Sequence, residues 1–200
     1  MALLRYVSHP EVVIDGDVPV ARWGLTDRGR TRAEALAGQP WFASAGLVVS
    51  SDEVKAVETA AVIEARHGLV AEVRPGTGEI DRSATGFLPE PVYGEVSSAF
   101  FANPEDSPHG WERAVDGQTR IRTELADLLA DGPADVVVIG HGGVGTLLWC
   151  HLAGLAIDQR HDQPHPGHWW TYDRAAGDAV HGWWPIDATE PPTGRTDRSM

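Results

Sequence analysis

Four β-branched residues in succession, Val136-Val137-Val138-Ile139, run into the turn Gly140-His141-Gly142-Gly143. So short and so apolar a run suits a pleated, buried strand, and it limits the fold more than any other feature of the chain. Residues 3–7 and 47–50 read as two further short buried strands, and 70–73 as a weaker one. Helical patterns lie between them. Thr26 can cap a helix that starts at Asp27, with Gly29, Ala33, Leu36 and Ala37 on one face. Ser51 opens a second helix, with Asp52 and Glu53 in an acidic first turn and Ala56, Ala60 and Ile63 along one stripe. A third is expected over 110–130, and a fourth after the glycine turn, carrying Thr146, Leu147 and Cys150. Residues 168–172 and 179–184 form a closing hairpin.

Alternation of this kind predicts an α/β fold, a three-layer α/β/α arrangement with a mainly parallel central sheet and an antiparallel edge hairpin. One domain is expected over residues 1–186, followed by a mobile polar tail over 187–200. The stretch 74–91 is rich in Gly and Pro and reads as a long active-site loop. Trp169-Trp170 and Trp183-Trp184 put indoles on both faces of the hairpin. One face packs the core; the other is expected to meet a helix or a second subunit, which makes a homodimer an expectation.

Bulk properties narrow the function. The formal charge is −13, and Lys55 is the single lysine, so nucleic acid is not an expected partner. No run approaches the ~18 apolar residues of a membrane helix, and no signal peptide is read at the start. Cys150 alone cannot form an intramolecular disulfide and fits a reducing cytoplasm. A cytoplasmic location is expected.

Two histidine turns stand out, Ser8-His9-Pro10 after the first strand and Gly140-His141-Gly142 after the clearest one. Residues past the carboxyl ends of such strands line the ligand crevice. Two imidazoles meeting there suit phosphoryl transfer, with one ring attacking phosphorus and the other holding the transferring oxygens. His141, the amides at Gly142 and Lys55 are candidate phosphate ligands; Ser8 and Arg82 are further ones, and Arg22 is a candidate substrate contact. The segment 161–168 holds three histidines and Asp162, a composition that also suits a metal ion, but no outside ligand set accompanies it. No metal and no cofactor is expected.

In the same order along the chain, these blocks resemble the histidine phosphatase superfamily, the phosphoglycerate mutase-like group. Ser8-His9-Pro10-Glu11 stands where the family has Arg-His-Gly-Glu, and Leu25-Thr26-Asp27-Arg28-Gly29 matches its first helix start. Ser51-Asp52-Glu53-Val54-Lys55-Ala56 follows its Ser-Pro-x-x-Arg-Ala block, and Glu79 and Gly140-His141-Gly142 match its loop glutamate and second histidine turn. The resemblance implies that His9 is the phosphorylated nucleophile and Glu79 the proton donor to the leaving alcohol. It also implies that His165 or Gln163 borders the substrate. The expected function is metal-independent hydrolysis of a small phosphate monoester. Ser8, Pro10 and Lys55 depart from the family pattern, which implies reduced turnover or, alternatively, a phosphate-binding module without catalysis.

Overall fold

The computed structural model describes residues 2–133 and 135–189. Its six-stranded sheet has the order β3-β2-β4-β1-β5-β6, with β1 Leu3–Ser8, β2 Leu47–Ser50, β3 Glu72–Val73, β4 Asp135–Gly140, β5 His168–Asp173 and β6 Asp178–Pro185. Pairs β1–β4, β2–β4 and β2–β3 are parallel, while β5 runs antiparallel to β1 and β6. The expected mixed sheet with an antiparallel edge hairpin is present.

Alternation along β4 divides the core. Val136 and Val138 point to one face, with Leu4, Tyr6, Leu147 and Phe100; Val137 and Ile139 point to the other, with Leu36, Ala60 and Ile63. Helices α1 (Asp27–Ala37) and α2 (Val54–His67) cover the second face. The first is covered by α3 (Val92–Ala102), α4 (Ala114–Glu124), α5 (Ala126–Asp131) and α6 (Gly142–Leu152). Thr26 caps α1 as expected, its hydroxyl accepting from Gly29 N at 2.9 Å.

Several boundaries differ from the sequence reading. Helix α2 starts at Val54, because Glu53 stays extended and lends its carboxylate to the neighbouring loop. The helix expected over 110–130 begins at Ala114 and breaks at Leu125. Glu112 is drawn out of it by Asp81 O at 2.7 Å and by Arg120. Helix α3 falls in a stretch for which no element was expected. The β5 indoles are covered by the chain itself: Trp170 stacks on Tyr6 at 5.2 Å and Trp169 lies 5.2 Å from Trp41. On β6, Trp183 and Trp184 stay half-exposed. Residues 187–189, assigned above to a mobile tail, are tied down, with Asp187 paired to Arg32 and the Ala188 carbonyl to Gln39; residues 190–200 lie outside the described part. Among the described residues, no helix is long and apolar enough to cross a membrane.

Candidate active site

Strand register builds the histidine pair. Ser8 lies opposite Gly140 in the parallel β1–β4 ladder, and His9 N donates to Gly140 O at 2.9 Å. His9 and His141 therefore leave adjacent strand ends side by side, with ring centroids 5.3 Å apart and planes at 67°. Pro10 O accepts from His9 Nδ1 at 2.7 Å. A carbonyl can only accept, so Nδ1 carries the hydrogen and Nε2 keeps its lone pair. Burial, reinforced by His141, lowers the His9 pKa to about 3. His141 is also shifted down by burial, so both rings are neutral near pH 7.

His141 is fully buried behind His9 rather than on the cavity surface. Its Nε2 meets Ser51 Oγ at 2.9 Å and Glu53 Oε1 at 3.5 Å, while Nδ1 has no partner among the described residues. The Tyr6 hydroxyl fixes its main chain, accepting from His141 N at 3.0 Å and donating to His141 O at 3.1 Å.

Glu79 reaches the same place from the 74–91 loop. Its Oε1 accepts from Ile80 N and Val144 N, both at 2.9 Å, and its Oε2 from Gly143 N at 3.1 Å. The carboxylate thus sits on the N-terminus of α6, where the helix dipole favours negative charge. Glycine at 143 permits this, since a Cβ there would lie 2.8 Å from Glu79 Oε1. Arg120 on α4 pins the loop by donating to Gly76 O and Gly78 O at 2.9 Å and to Glu79 O at 3.1 Å.

Glu53 joins these parts. Its Oε1 accepts from Glu79 N at 2.8 Å, and its Oε2 takes the Lys55 ammonium, which also donates to Val20 O at 2.9 Å. Burial opposes ionisation of Glu53, yet His141 and Lys55 outweigh it and hold the carboxyl at about 2. Lys55 faces the cavity with its charge already matched.

The other candidates divide. Arg82 lines the cavity, its guanidinium 5.1 Å from the Tyr93 ring centre and 6.0 Å from that of Trp111, with no carboxylate partner among the described residues. Gly142 and His165 line it too. Ser8 does not, contrary to its assignment as a phosphate ligand: its buried Oγ accepts from Gly167 N at 3.2 Å and His168 N at 3.0 Å and donates to Gln163, latching the 163–168 loop. Arg22 is exposed and does not line the cavity, although Val20 and Trp23 beside it do. In the 161–168 segment, His168 turns inward with its Nδ1 2.8 Å from His165 O, and no three side chains among the described residues are placed to hold a metal ion.

Sequence reasoning missed Glu53, Arg120 and, as an acid, Asp162. Asp162 faces the cavity with Oδ1 accepting from Thr146 Oγ1 at 2.7 Å and Gln163 N at 2.8 Å, and with no partner at Oδ2 among the described residues. Burial raises its pKa to about 6. The cavity itself has a volume of about 500 Å³. Its floor is formed by His9, Lys55, Glu79 and the Gly142-Gly143 turn, and its walls are mostly apolar.

A family model described as histidine phosphatase superfamily (branch 1) matches residues 13–178. Glucosyl-3-phosphoglycerate phosphatase of Mycobacterium tuberculosis is 33% identical over 146 residues, a match covering 66% of this chain and 66% of that protein. A structure of the mycobacterial glucosyl-3-phosphoglycerate phosphatase with inorganic phosphate superposes with TM-score 0.70 at 26% identity, over 86% of this chain and 90% of the other. Bacillus stearothermophilus YhfR shares the fold, with TM-score 0.73 at 18% identity over 94% of this chain and 98% of its own.

Proposed function

The chain belongs to the histidine phosphatase superfamily, and on that premise we propose that it hydrolyses a phosphate monoester through a phosphohistidine on His9. The observation that carries this reading is the fixed tautomer of His9, which leaves Nε2 unprotonated beside the cavity floor. In the first step the Nε2 lone pair forms the N–P bond as the P–O bond to the alcohol breaks. The departing oxygen takes a proton from a carboxyl group. In the second step water attacks phosphorus, the N–P bond breaks, and the water's proton returns to the carboxylate. His141 backs the nucleophile from behind, while Arg82 and the Gly142 amide offset the charge on the transferring group.

Glu79 is the proton donor by its place on the floor. Asp162 supports a second assignment, because it faces the same cavity with no partner at Oδ2 among the described residues and a carboxyl near 6. Loss of the true donor should lower kcat about 10²–10⁴-fold for alkyl esters. It should spare esters of acidic phenols, whose leaving groups need no proton. Comparison of Glu79→Gln with Asp162→Asn on both ester types separates the two.

The mechanism is tested by base-quenching a reaction with a generic aryl phosphate and mapping the modified residue by mass spectrometry. A phosphoryl group on His9 is expected, with turnover lost in His9→Ala. Unchanged turnover in that variant would overturn the mechanism. Vanadate binding without hydrolysis of any ester would leave the fold as a ligand-binding module.

A further inference from the structure

We infer that this site is built for a monoester whose alcohol part is aromatic or bulky and apolar and carries no second anionic group; the inference rests on the phosphatase reading above. Away from the histidine floor, the cavity is walled by aromatic rings from separate segments. Trp23 meets Phe87 edge-on at 5.6 Å, and Tyr93 lies 5.9 Å from Trp111. Phe100 closes the far end, 6.2 Å from Trp111.

Those walls offer little to a hydroxyl-rich ligand. The indole N–H of Trp23 is consumed by Asp15 O at 2.9 Å, and that of Trp111 by Thr85 Oγ1 at 2.8 Å. A sugar placed between them would lose water contacts and find few replacements, at a cost for each stranded hydroxyl. Charge points the same way. Lys55 is paired with Glu53, which leaves Arg82 as the cavity-lining arginine or lysine without a carboxylate partner among the described residues. Glu90 and Asp162 also face inward, so a second carboxylate or phosphate would meet like charge. One cation serves one phosphoryl group.

The mouth adds an apolar rim. Ile14 is 64% exposed and Phe87 38% exposed, although both line the cavity. A ring system entering there would take this surface out of water. A volume of about 500 Å³ holds a fused bicyclic ring with its phosphate. By contrast, glucosyl-3-phosphoglycerate, named for the mycobacterial relative, combines sugar hydroxyls with a carboxylate. Ser97, Gln163, Glu90 and Asp162 could meet a few of those hydroxyls, but no second unpaired cation among the described lining residues meets the carboxylate.

The test compares 1-naphthyl phosphate, phenyl phosphate, 3-phosphoglycerate and glucosyl-3-phosphoglycerate on the wild-type chain. The second ring buries roughly 50 Å² more apolar surface, worth about tenfold at ~25 cal/mol per Å². A KM for naphthyl phosphate about tenfold below that for phenyl phosphate is expected, with the two glycerate esters poorer still. Phe87→Ala and the rim variant Ile14→Ser should each raise the naphthyl KM more than the phenyl KM. Faster turnover of a glycerate ester would overturn the inference and leave the phosphatase reading standing. If no ester is hydrolysed, that reading fails instead, and equilibrium binding decides the inference. Tighter binding of 1-naphthyl phosphate than of 3-phosphoglycerate would support it, and equal or weaker binding would overturn it.

Discussion

At position 8 a hydroxyl replaces the arginine that the family resemblance leads one to expect, and its surroundings show that the change is built into the loop beyond it. Ser8 Oγ takes two main-chain N–H groups and bonds Gln163, in a place with no exposed surface. Restoring arginine there should not restore a phosphate ligand. Ser8→Arg must force a long cation into a filled site and break the latch, which should cost at least about 1–3 kcal/mol. A lowered Tm with no gain in kcat is expected; a stable variant with raised kcat would contradict this account. Asp162 ties stability to pH at the same loop. Its folded pKa of about 6 lies above the ordinary aspartate value of 3.8. Between those values the folded chain holds a proton that the unfolded chain has released, so stability falls as pH rises through that window and stays reduced above it. Asp162→Asn keeps the Oδ1 acceptor and removes the charge. It should raise Tm by at least about 2 °C at pH 7.5 and bring no gain near pH 3.5. Equal shifts at both values would refute the burial argument. His9 and His141 could be found from sequence because each follows a strand that the pattern itself marks, whereas Glu79, an ordinary loop carboxylate by itself, could be found only through the family resemblance. Glu53, Arg120 and Asp162 could not, since an ordinary helix-end or loop charge acquires its role only from partners many residues away.

At the scale of single elements, strands were the more legible, because burial on both faces leaves an uninterrupted apolar run such as Val136 to Ile139. Helix ends were less so. Glu53 and Glu112 look like good helix residues, yet each is held outside its helix by a bond to the 74–91 loop. Helix α3 escaped notice although Val96 and Phe100 keep helical spacing, as the Gly and Pro residues before it suggest a continuing loop. Helix α6 shows an element and a site depending on each other. Its first N–H groups are satisfied by Glu79, a residue from another loop, and that contact needs the bare backbone of Gly143. Gly143→Ala gains up to about 1 kcal/mol of helix propensity and loses a similar amount with the Glu79 bonds, so little net change in stability is expected. The added methyl would push the carboxylate off the helix end and lower kcat by tenfold or more. The combination to look for is a maintained Tm with lost turnover. Full activity in that variant would show that the placement of Glu79 on α6 is not needed.

The charge of the whole molecule bears on how a dianion reaches this cavity. The chain carries −13 overall, and the site does little to reverse that locally. His9 and His141 are neutral, Lys55 is matched by Glu53, and Arg82 stands against Glu79, Glu90 and Asp162 around one cavity. An approaching phosphate monoester dianion is repelled by the protein as a whole and meets no focused positive funnel at the mouth. Salt should then help rather than hinder. Raising ionic strength from about 0.01 M to 0.15 M shortens the screening length from about 30 Å to about 8 Å, which removes most of the long-range repulsion. The expected result is a several-fold rise in kcat/KM for 1-naphthyl phosphate over that range at fixed pH, carried mainly by KM. An uncharged inert salt substitute such as sucrose should not reproduce it. A fall in kcat/KM with added salt would mean that Lys55 or Arg82 projects an attractive field to the mouth, and that the ion pair with Glu53 opens in solution to free the lysine.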